Sequence, residues 1–334
     1  MSATFPTINT TPTALPSINT KLAAVDRLRD KHLSTPRDVQ FRSYLDRLLQ
    51  RDEQGNVIAA PRLYTKNGDA RGIAVVEPAG GGKTSLVLHG LKTHPALQPR
   101  NAAHQPWVGV RVPSPPTAKS LAIEILHASG YPAASRSNAV TEDDLMRQVR
   151  HRFKQRGTAI LWIDEAHDLF GAGTRFKVDV FLKTVRNLMQ GDGAVSVVLS
   201  GIESLWQIAS CDAQVTRRYW RLPLADVSPH SDRRALTGVI ANFCDAVGMQ
   251  PPSADDLVDR LVHASRNRFG RCIENILAAL EIAALEDANE LMINHFAESW
   301  GMQEGCAMGQ NVFLARHWAT IDLGETKLTS AGER

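Results

Sequence analysis

The chain has 334 residues, 43% of them hydrophobic, and a net charge of +3. That length exceeds the usual single domain and can bury a sizeable core, so one large domain with appendages or two domains is expected. The mild positive charge permits nucleic-acid contact without requiring it, and no apolar run approaches the ~18 residues that cross a bilayer.

The four cysteines, Cys211, Cys244, Cys272 and Cys306, lie far apart. They have neither the spacing of a metal site nor the density of a disulfide scaffold, and read as reduced thiols of a cytoplasmic protein. The N-terminus lacks a secretory pattern, since its first charge is Lys21 and Thr, Pro and Asn interrupt any apolar core.

Residues 1–20 are polar and proline-punctuated and read as a mobile arm. Helical periodicity follows, with Leu22, Val25 and Leu28 in one segment and Val39, Phe41, Tyr44, Leu45, Leu48 and Leu49 in a second. Thr35 is the expected N-cap of the second, with Pro36 in its first helical position. Residues 51–56 read as a loop leading towards the core.

Residues 72–76 (Gly-Ile-Ala-Val-Val) form an expected buried strand, followed by Gly80-Gly81-Gly82-Lys83-Thr84-Ser85 and a helix. Strand, glycine-rich loop and helix together are the context of a phosphate-binding loop. In it, backbone N–H groups wrap the phosphates, Lys83 reaches the β- and γ-phosphates, and the Thr84 hydroxyl binds Mg²⁺. The pattern G-x-x-x-x-G-K-[ST] asks for glycine where this chain has Glu77.

Strands are next expected over 107–112, 159–163, 194–201 and 221–224, separated by helices over 118–129, from Thr141 towards Phe153, and over 177–189. This alternation predicts an α/β fold with a parallel sheet covered on both faces. The 159–163 strand delivers Asp164 and Glu165 at its C-terminal end, where open α/β sheets place ligands. Asp164 is the candidate Mg²⁺ ligand, and Glu165 the candidate base or orienter for an attacking water. Ser200 ends a strand expected between the acidic strand and the phosphate loop, either as a γ-phosphate sensor or as a plain strand-terminal turn residue. Arg217 and Arg218 are either an arginine finger reaching a neighbouring subunit's nucleotide or a solvated basic helix end.

From residue 231 to about 301 only helical periodicity remains, over 234–247, 253–264, 271–286 and 293–300, and reads as a small helical lid. Arg271, after Gly270, can fold back over the phosphates or serve as an ordinary surface arginine. Residues 311–318 of the remaining tail are expected as a strand. Asp164-Glu165-Ala166-His167 also occurs in helicases, but these need a second nucleotide-fold domain, for which the chain carries no motifs.

In order along the chain, residues 32–37 (His-Leu-Ser-Thr-Pro-Arg), 77–84, 112–117, 126–132, 163–167, 200–203, 217–219 and Gly270-Arg271 resemble the AAA+ ATPases, and within them the TniB/TnsC transposition regulators. The resemblance implies an AAA+ P-loop fold with a C-terminal helical lid, and ATP and Mg²⁺ as cofactors. In its terms Lys83 and Thr84 are Walker A, Asp164 and Glu165 Walker B, Ser200 the first sensor, Arg217 or Arg218 the finger, and Arg271 the second sensor. Covering roughly residues 20–300, and joined to the composition and periodicities above, the resemblance divides the chain into an arm (1–20), a helical extension (21–58), an ATPase core (59–226), a lid (227–301) and a tail (302–334). It further implies an ATP-dependent regulator that forms a homo-oligomeric ring or filament on duplex DNA and recruits or activates a transposase, often through a TniQ-type adaptor. Lys119, with Arg147 and Arg150 on the basic helix before Asp164, are candidate contacts to the DNA backbone, the alternative for the helix being a solvated charged face. Two other readings remain: an AAA+ ATPase of a secretion system or helicase loader, and a nucleotide-binding scaffold that does not hydrolyse.

Overall fold

The computed structural model describes residues 17–66, 68–131, 140–168, 175–210 and 216–324. The first sixteen residues of the expected arm, Gln214 and Val215 beside the arginine cluster, and tail residues 325–334 lie outside them. The chain divides into two compact units, residues 32–225 and residues 1–31 with 226–334.

The 32–225 unit is built on a parallel five-stranded sheet. Its strands are β3 (Gly72–Val76), β4 (Trp107–Arg111), β5 (Ile160–Asp164), β6 (Ser196–Gly201) and β7 (Tyr219–Pro223), in the order β4-β5-β6-β3-β7. β3, β5 and β6 are buried at every residue, as expected of central parallel strands covered on both faces. Two apolar clusters pack on the sheet. One is centred on Leu121, Leu126, Val149, Phe153 and Leu199, and the other on Phe41, Leu45, Val87, Leu91 and Leu222.

Among its described residues this unit also holds the helices α2 (Pro36–Leu48), α3 (Lys83–Thr93), α4 (Ala118–Ala128), α5 (Glu142–Arg156), α6 (Arg175–Leu188) and α7 (Glu203–Ala209). Their starts follow local chemistry. Thr35 N–H donates to Asp38 Oδ2 at 2.7 Å, and Asp144 N–H donates to Thr141 Oγ1 at 3.2 Å at the start of α5. Gly157, at φ 64°, ends α5 in the left-handed conformation that a side chain disfavours. The 51–56 loop proves to be the turn of a hairpin, β1 (Leu49–Arg51) with β2 (Val57–Pro61), tightened by Asp52 accepting from the backbone of Gln54 and Asn56.

The other unit is helical. It contains α1 (Ile18–Arg29), α8 (Pro229–Val247), α9 (Leu257–Ala264), α10 (Phe269–Leu285) and α11 (Ile293–Glu304). The expected 21–58 extension is therefore shared between the units, α1 falling with the C-terminal helices and α2 with the sheet. Lys21 explains the docking of α1. It is 1% exposed, and its ammonium donates to Asp287 Oδ1 at 2.8 Å and to the Ala288 carbonyl at 2.9 Å, just beyond the end of α10.

The strand expected at 311–318 does not form. Asn311 instead makes a turn, donating to the Ala297 carbonyl at 2.7 Å and accepting from Phe313 N–H at 3.0 Å, which inserts Phe313 against Phe296 and Trp300. An apolar run of that length is satisfied by burying two residues, Val312 and Phe313, without any partner strand. Among the described residues Cys244, Cys272 and Cys306 are free thiols, and burial pushes the Cys244 thiol up to about 12. No helix among the described residues is long and apolar enough to cross a membrane.

Candidate nucleotide site

The candidate site lies at the C-terminal ends of β3, β5 and β6. Because β6 separates β3 from β5, and Ile163 pairs with Leu199 while Val75 pairs with Ser200, Asp164 and Ser200 come side by side next to the phosphate loop. Ser200 Oγ donates to Asp164 Oδ1 and accepts from Trp162 Nε1 at 2.9 Å. Thr84 Oγ1 donates to Asp164 Oδ2 at 2.9 Å, so both carboxylate oxygens are engaged. Asp164 is 8% exposed and Ser200 is fully buried, so the chain of hydrogen bonds is held in a low-dielectric setting that fixes its geometry.

The loop itself is shaped by Gly80 (φ 79°) and Gly82 (φ 98°), both in the left-handed region open to glycine, and α3 begins at Lys83. Left-handed glycines leading into a helix N-terminus are the backbone setting in which N–H groups bind phosphates. Lys83 is 5% exposed, and its ammonium arches back to the Pro78 carbonyl at 3.3 Å; Ser85 follows in the first turn of α3. A hydroxyl and a carboxylate within hydrogen-bond reach of each other form the hard-oxygen donor set that suits Mg²⁺ with a nucleotide. Thr84 and Asp164 would hold the ion, and Gly80 to Ser85 the phosphates.

Glu165 has φ 52°, a left-handed conformation for a residue with a full side chain. Ala166 N–H donates to the Ser200 carbonyl at 2.8 Å, which turns the chain sharply just after Glu165. Glu165 Oε2 stands 3.2 Å from His167 Nδ1. Strain of this kind costs of order 1–3 kcal/mol and concentrates where a side chain must be aimed.

Sequence reasoning missed Arg37. Its guanidinium donates to Glu77 Oε1 at 3.1 Å, to the Gly81 carbonyl at 3.1 Å, and to the Ala225 carbonyl. The Glu77 side chain, fully buried, lies directly against Gly81, where an added Cβ would stand 1.8 Å from the carboxyl carbon. The departure from the loop pattern is thus accommodated by a buried ion pair and by a glycine that leaves it room. The only signal in the sequence was the joint presence of an acid inside the loop and an arginine in the 32–37 segment.

Beside Arg37, His32 Nε2 pairs with Asp38 Oδ1 at 2.7 Å, and the His32 and His89 rings stack at 3.6 Å with an 8° interplanar angle. These three side chains offer ligand atoms within 4.8 Å of one another. Stacked rings hold their in-plane lone pairs parallel, however, so they do not converge on one ion.

The remaining predicted residues are dispersed. Arg217 is exposed, whereas Arg218 pairs with Asp69 at 3.2 Å at the opposite end of the sheet. Arg271 belongs to the helical unit, where its charge acts on Glu274 and Glu304. Lys119 donates to the Val140 carbonyl at 3.0 Å, and Arg147 pairs with Asp144 one turn away. Arg150 is turned inward and donates to the Asn187 and Gln190 carbonyls at the end of α6, where burial lowers its pKa. It caps orphan carbonyls there rather than facing solvent.

A phosphate loop after β3, an acidic pair ending β5, and a serine-bearing strand between them, in a parallel sheet of this order, define the chain as a P-loop protein of the AAA+ class. The family described as Bacterial TniB protein matches residues 59–228, just over half of the 334 residues, and the chain belongs to that family. Among solved structures, the ORC1 protein of Aeropyrum pernix in complex with DNA is similar with a TM-score of 0.55 at 12% identity, over 89% of this chain and 74% of that one. Cdc6p from Pyrobaculum aerophilum is similar with a TM-score of 0.52 at 11% identity, over 92% and 75%. The ORC2 protein of Aeropyrum pernix in ADPNP-ADP complexes is similar with a TM-score of 0.51 at 14% identity, over 90% and 75%. These likenesses establish the fold. No curated protein matches the chain in sequence.

Proposed function

We propose that the protein is an ATP-dependent, DNA-associated regulator of transposition that oligomerises on duplex target DNA and recruits or activates a transposase, in some systems through a TniQ-type adaptor. The observation that carries the ATPase part is the Thr84–Asp164–Ser200 chain beside a phosphate loop in a TniB-family protein. Lys83 neutralises the β- and γ-phosphates, and Thr84 with Asp164 holds Mg²⁺, which when bound offsets the charge of the phosphate oxygens. Glu165, aimed by its left-handed backbone, orients or deprotonates the attacking water. Ser200 holds Asp164 in place and senses the γ-phosphate. Arg217, exposed before β7, is better suited than Arg218 to act on a neighbouring subunit's nucleotide, because Arg218 is committed to Asp69. Arg271 is the candidate second sensor.

The test is negative-stain electron microscopy of the purified protein with a non-hydrolysable ATP analogue, with and without duplex DNA, and with Lys83→Ala as control. Rings or filaments that need both nucleotide and DNA are expected, and Glu165→Gln is expected to accumulate them with ATP. Monomers under every condition would overturn the assembly reading and favour a nucleotide-binding scaffold.

A further inference from the structure

At the N-terminal ends of β3 and β7, three arginines are interleaved with three aromatic rings. Arg71 lies 4.4 Å from the centroid of Tyr64 and 5.4 Å from that of Trp220. Arg62 lies 5.2 Å from Tyr64, and Arg47, from the last turn of α2, lies 5.8 Å from Tyr44. The rings brace one another edge to face, Tyr44 with Trp220 at 6.3 Å and Tyr64 with Trp220 at 5.7 Å. The Tyr64 hydroxyl donates to the Arg47 carbonyl, which ties the segment after β2 to α2. All three guanidinium charges act on Tyr64, although burial outweighs them and raises its phenol.

Among the described residues, none of these three arginines forms an ion pair. Three other arginines of the same unit pair with carboxylates, Arg218 with Asp69, Arg221 with Glu203 and Arg147 with Asp144, and Arg150 and Arg152 donate to backbone carbonyls; what sets Arg47, Arg62 and Arg71 apart is that they gather around shared rings. Arg47 and Arg62 are exposed and Arg71 is half-buried. Three like charges grouped around shared rings repel one another, and cation–π attraction of about 0.5–1 kcal/mol each at exposed sites offsets this only in part. An anion placed over the group relieves the repulsion. The ring faces also hold the guanidinium planes in set orientations, which lowers the entropy lost when each fork engages a phosphate.

We infer that this cation–aromatic patch is a docking surface for the phosphate backbone of duplex DNA. The inference rests on the DNA-associated function proposed above and gives it a location other than α5, where Arg150 is used as a helix cap and Arg147 already has a carboxylate. Contacts of this type position the duplex without reading its sequence. An acidic face of a protein, including a second copy of this chain, is the competing occupant. A guanidinium fork fits phosphate and carboxylate alike, so the DNA-associated function proposed above is what favours phosphate.

The experiment measures duplex-DNA binding by fluorescence anisotropy across a salt series with a non-hydrolysable ATP analogue. It compares wild type, the triple variant Arg47→Gln/Arg62→Gln/Arg71→Gln, and Arg147→Gln. Glutamine keeps the side-chain stem, and nucleotide affinity with circular dichroism reports the fold. The triple variant is expected to bind nucleotide as wild type does, to lose at least tenfold in DNA affinity, and to flatten the log–log salt slope by about 2–3, near 0.9 per phosphate contact. Arg147→Gln is expected to change the slope by less than 1. Equal affinity and slope for wild type and triple variant would overturn the patch while leaving the DNA reading intact. Failure of wild type to bind DNA at any salt would overturn both. Loss of DNA-free self-association in the triple variant, read by sedimentation with its salt slope for DNA unchanged, would assign the patch to a protein contact and overturn the inference.

Discussion

The two ends of the parallel sheet are built on opposite electrostatic plans. At the C-terminal end polar groups are buried and matched: Asp164 is held by Thr84 and Ser200, and Glu77 by Arg37. At the N-terminal end Arg218 is paired with Asp69, but Arg47, Arg62 and Arg71 around Tyr64 and Trp220 are supported by rings and form no ion pair among the described residues. A buried network loses heavily when one member is removed, because a desolvated partner is left behind. A solvated cation cluster loses little, because water replaces what is taken. The contrast teaches where this unit is rigid by construction and where it is open to an external anion.

The largest effect is expected for Arg37→Ala, which strands the fully buried Glu77 carboxylate at a cost of about 3–5 kcal/mol. Thermal melting should fall by about 10 °C, and Glu77→Gly in the same chain should recover most of it. A fall that Glu77→Gly does not relieve would break the reading of this pair as mutually dependent.

Next is Gly81→Ala. Its Cβ meets the Glu77 carboxyl group and should cost about 3 kcal/mol, roughly 100-fold in nucleotide affinity by calorimetry. Adding Glu77→Gly should restore binding. Unchanged affinity in the single variant would show that the loop rearranges freely.

Ser200→Ala removes one donor to Asp164 and the acceptor of Trp162 N–H, at about 1–3 kcal/mol. ATP turnover should fall more than ATP affinity. An equal loss in both would make Ser200 a packing residue. At the other end, Arg71→Gln should shift stability by no more than about 1 kcal/mol in denaturant unfolding. A larger loss would mean that the aromatic cluster depends on this cation for its fold.

The smallest effect is a pH dependence beside the phosphate loop. Burial, then the neighbouring His32, lowers the His89 pKa against the opposing pull of Asp38. The unfolded chain therefore binds the proton more readily, and stability falls as pH drops below about 6.5. For Asp38, burial acts upwards but hydrogen bonds from Thr35 and His32 outweigh it, so its contribution is present above about pH 3.8 and is lost as pH falls through its lower folded value. Melts between pH 7.5 and 5.5 should show a decline that His89→Gln flattens, and an unflattened decline would assign it to another group.

Much of the site was legible in the sequence because its parts are local. A β-branched run, three glycines and a lysine specify a strand, a left-handed loop and a helix start within some fifteen residues, and residues 160–165 do the same for the acidic pair. Strand and helix positions followed from periodicity to within a few residues, while the β1–β2 hairpin was missed because its strands are only three and five residues long, and the turn at Asn311 because it is held by side-chain hydrogen bonds that leave no period.

The sequence alone determined the α/β alternation, the phosphate loop and the carboxylates, since these depend on neighbours along the chain. Only the tertiary structure decided that Glu77 is matched by an arginine 40 residues upstream, that Arg150 faces carbonyls, that α1 groups with the C-terminal helices, and that Arg47, Arg62 and Arg71 meet around Tyr64. Charge compensation depends on distance in space, and a sequence orders residues only by distance along the chain.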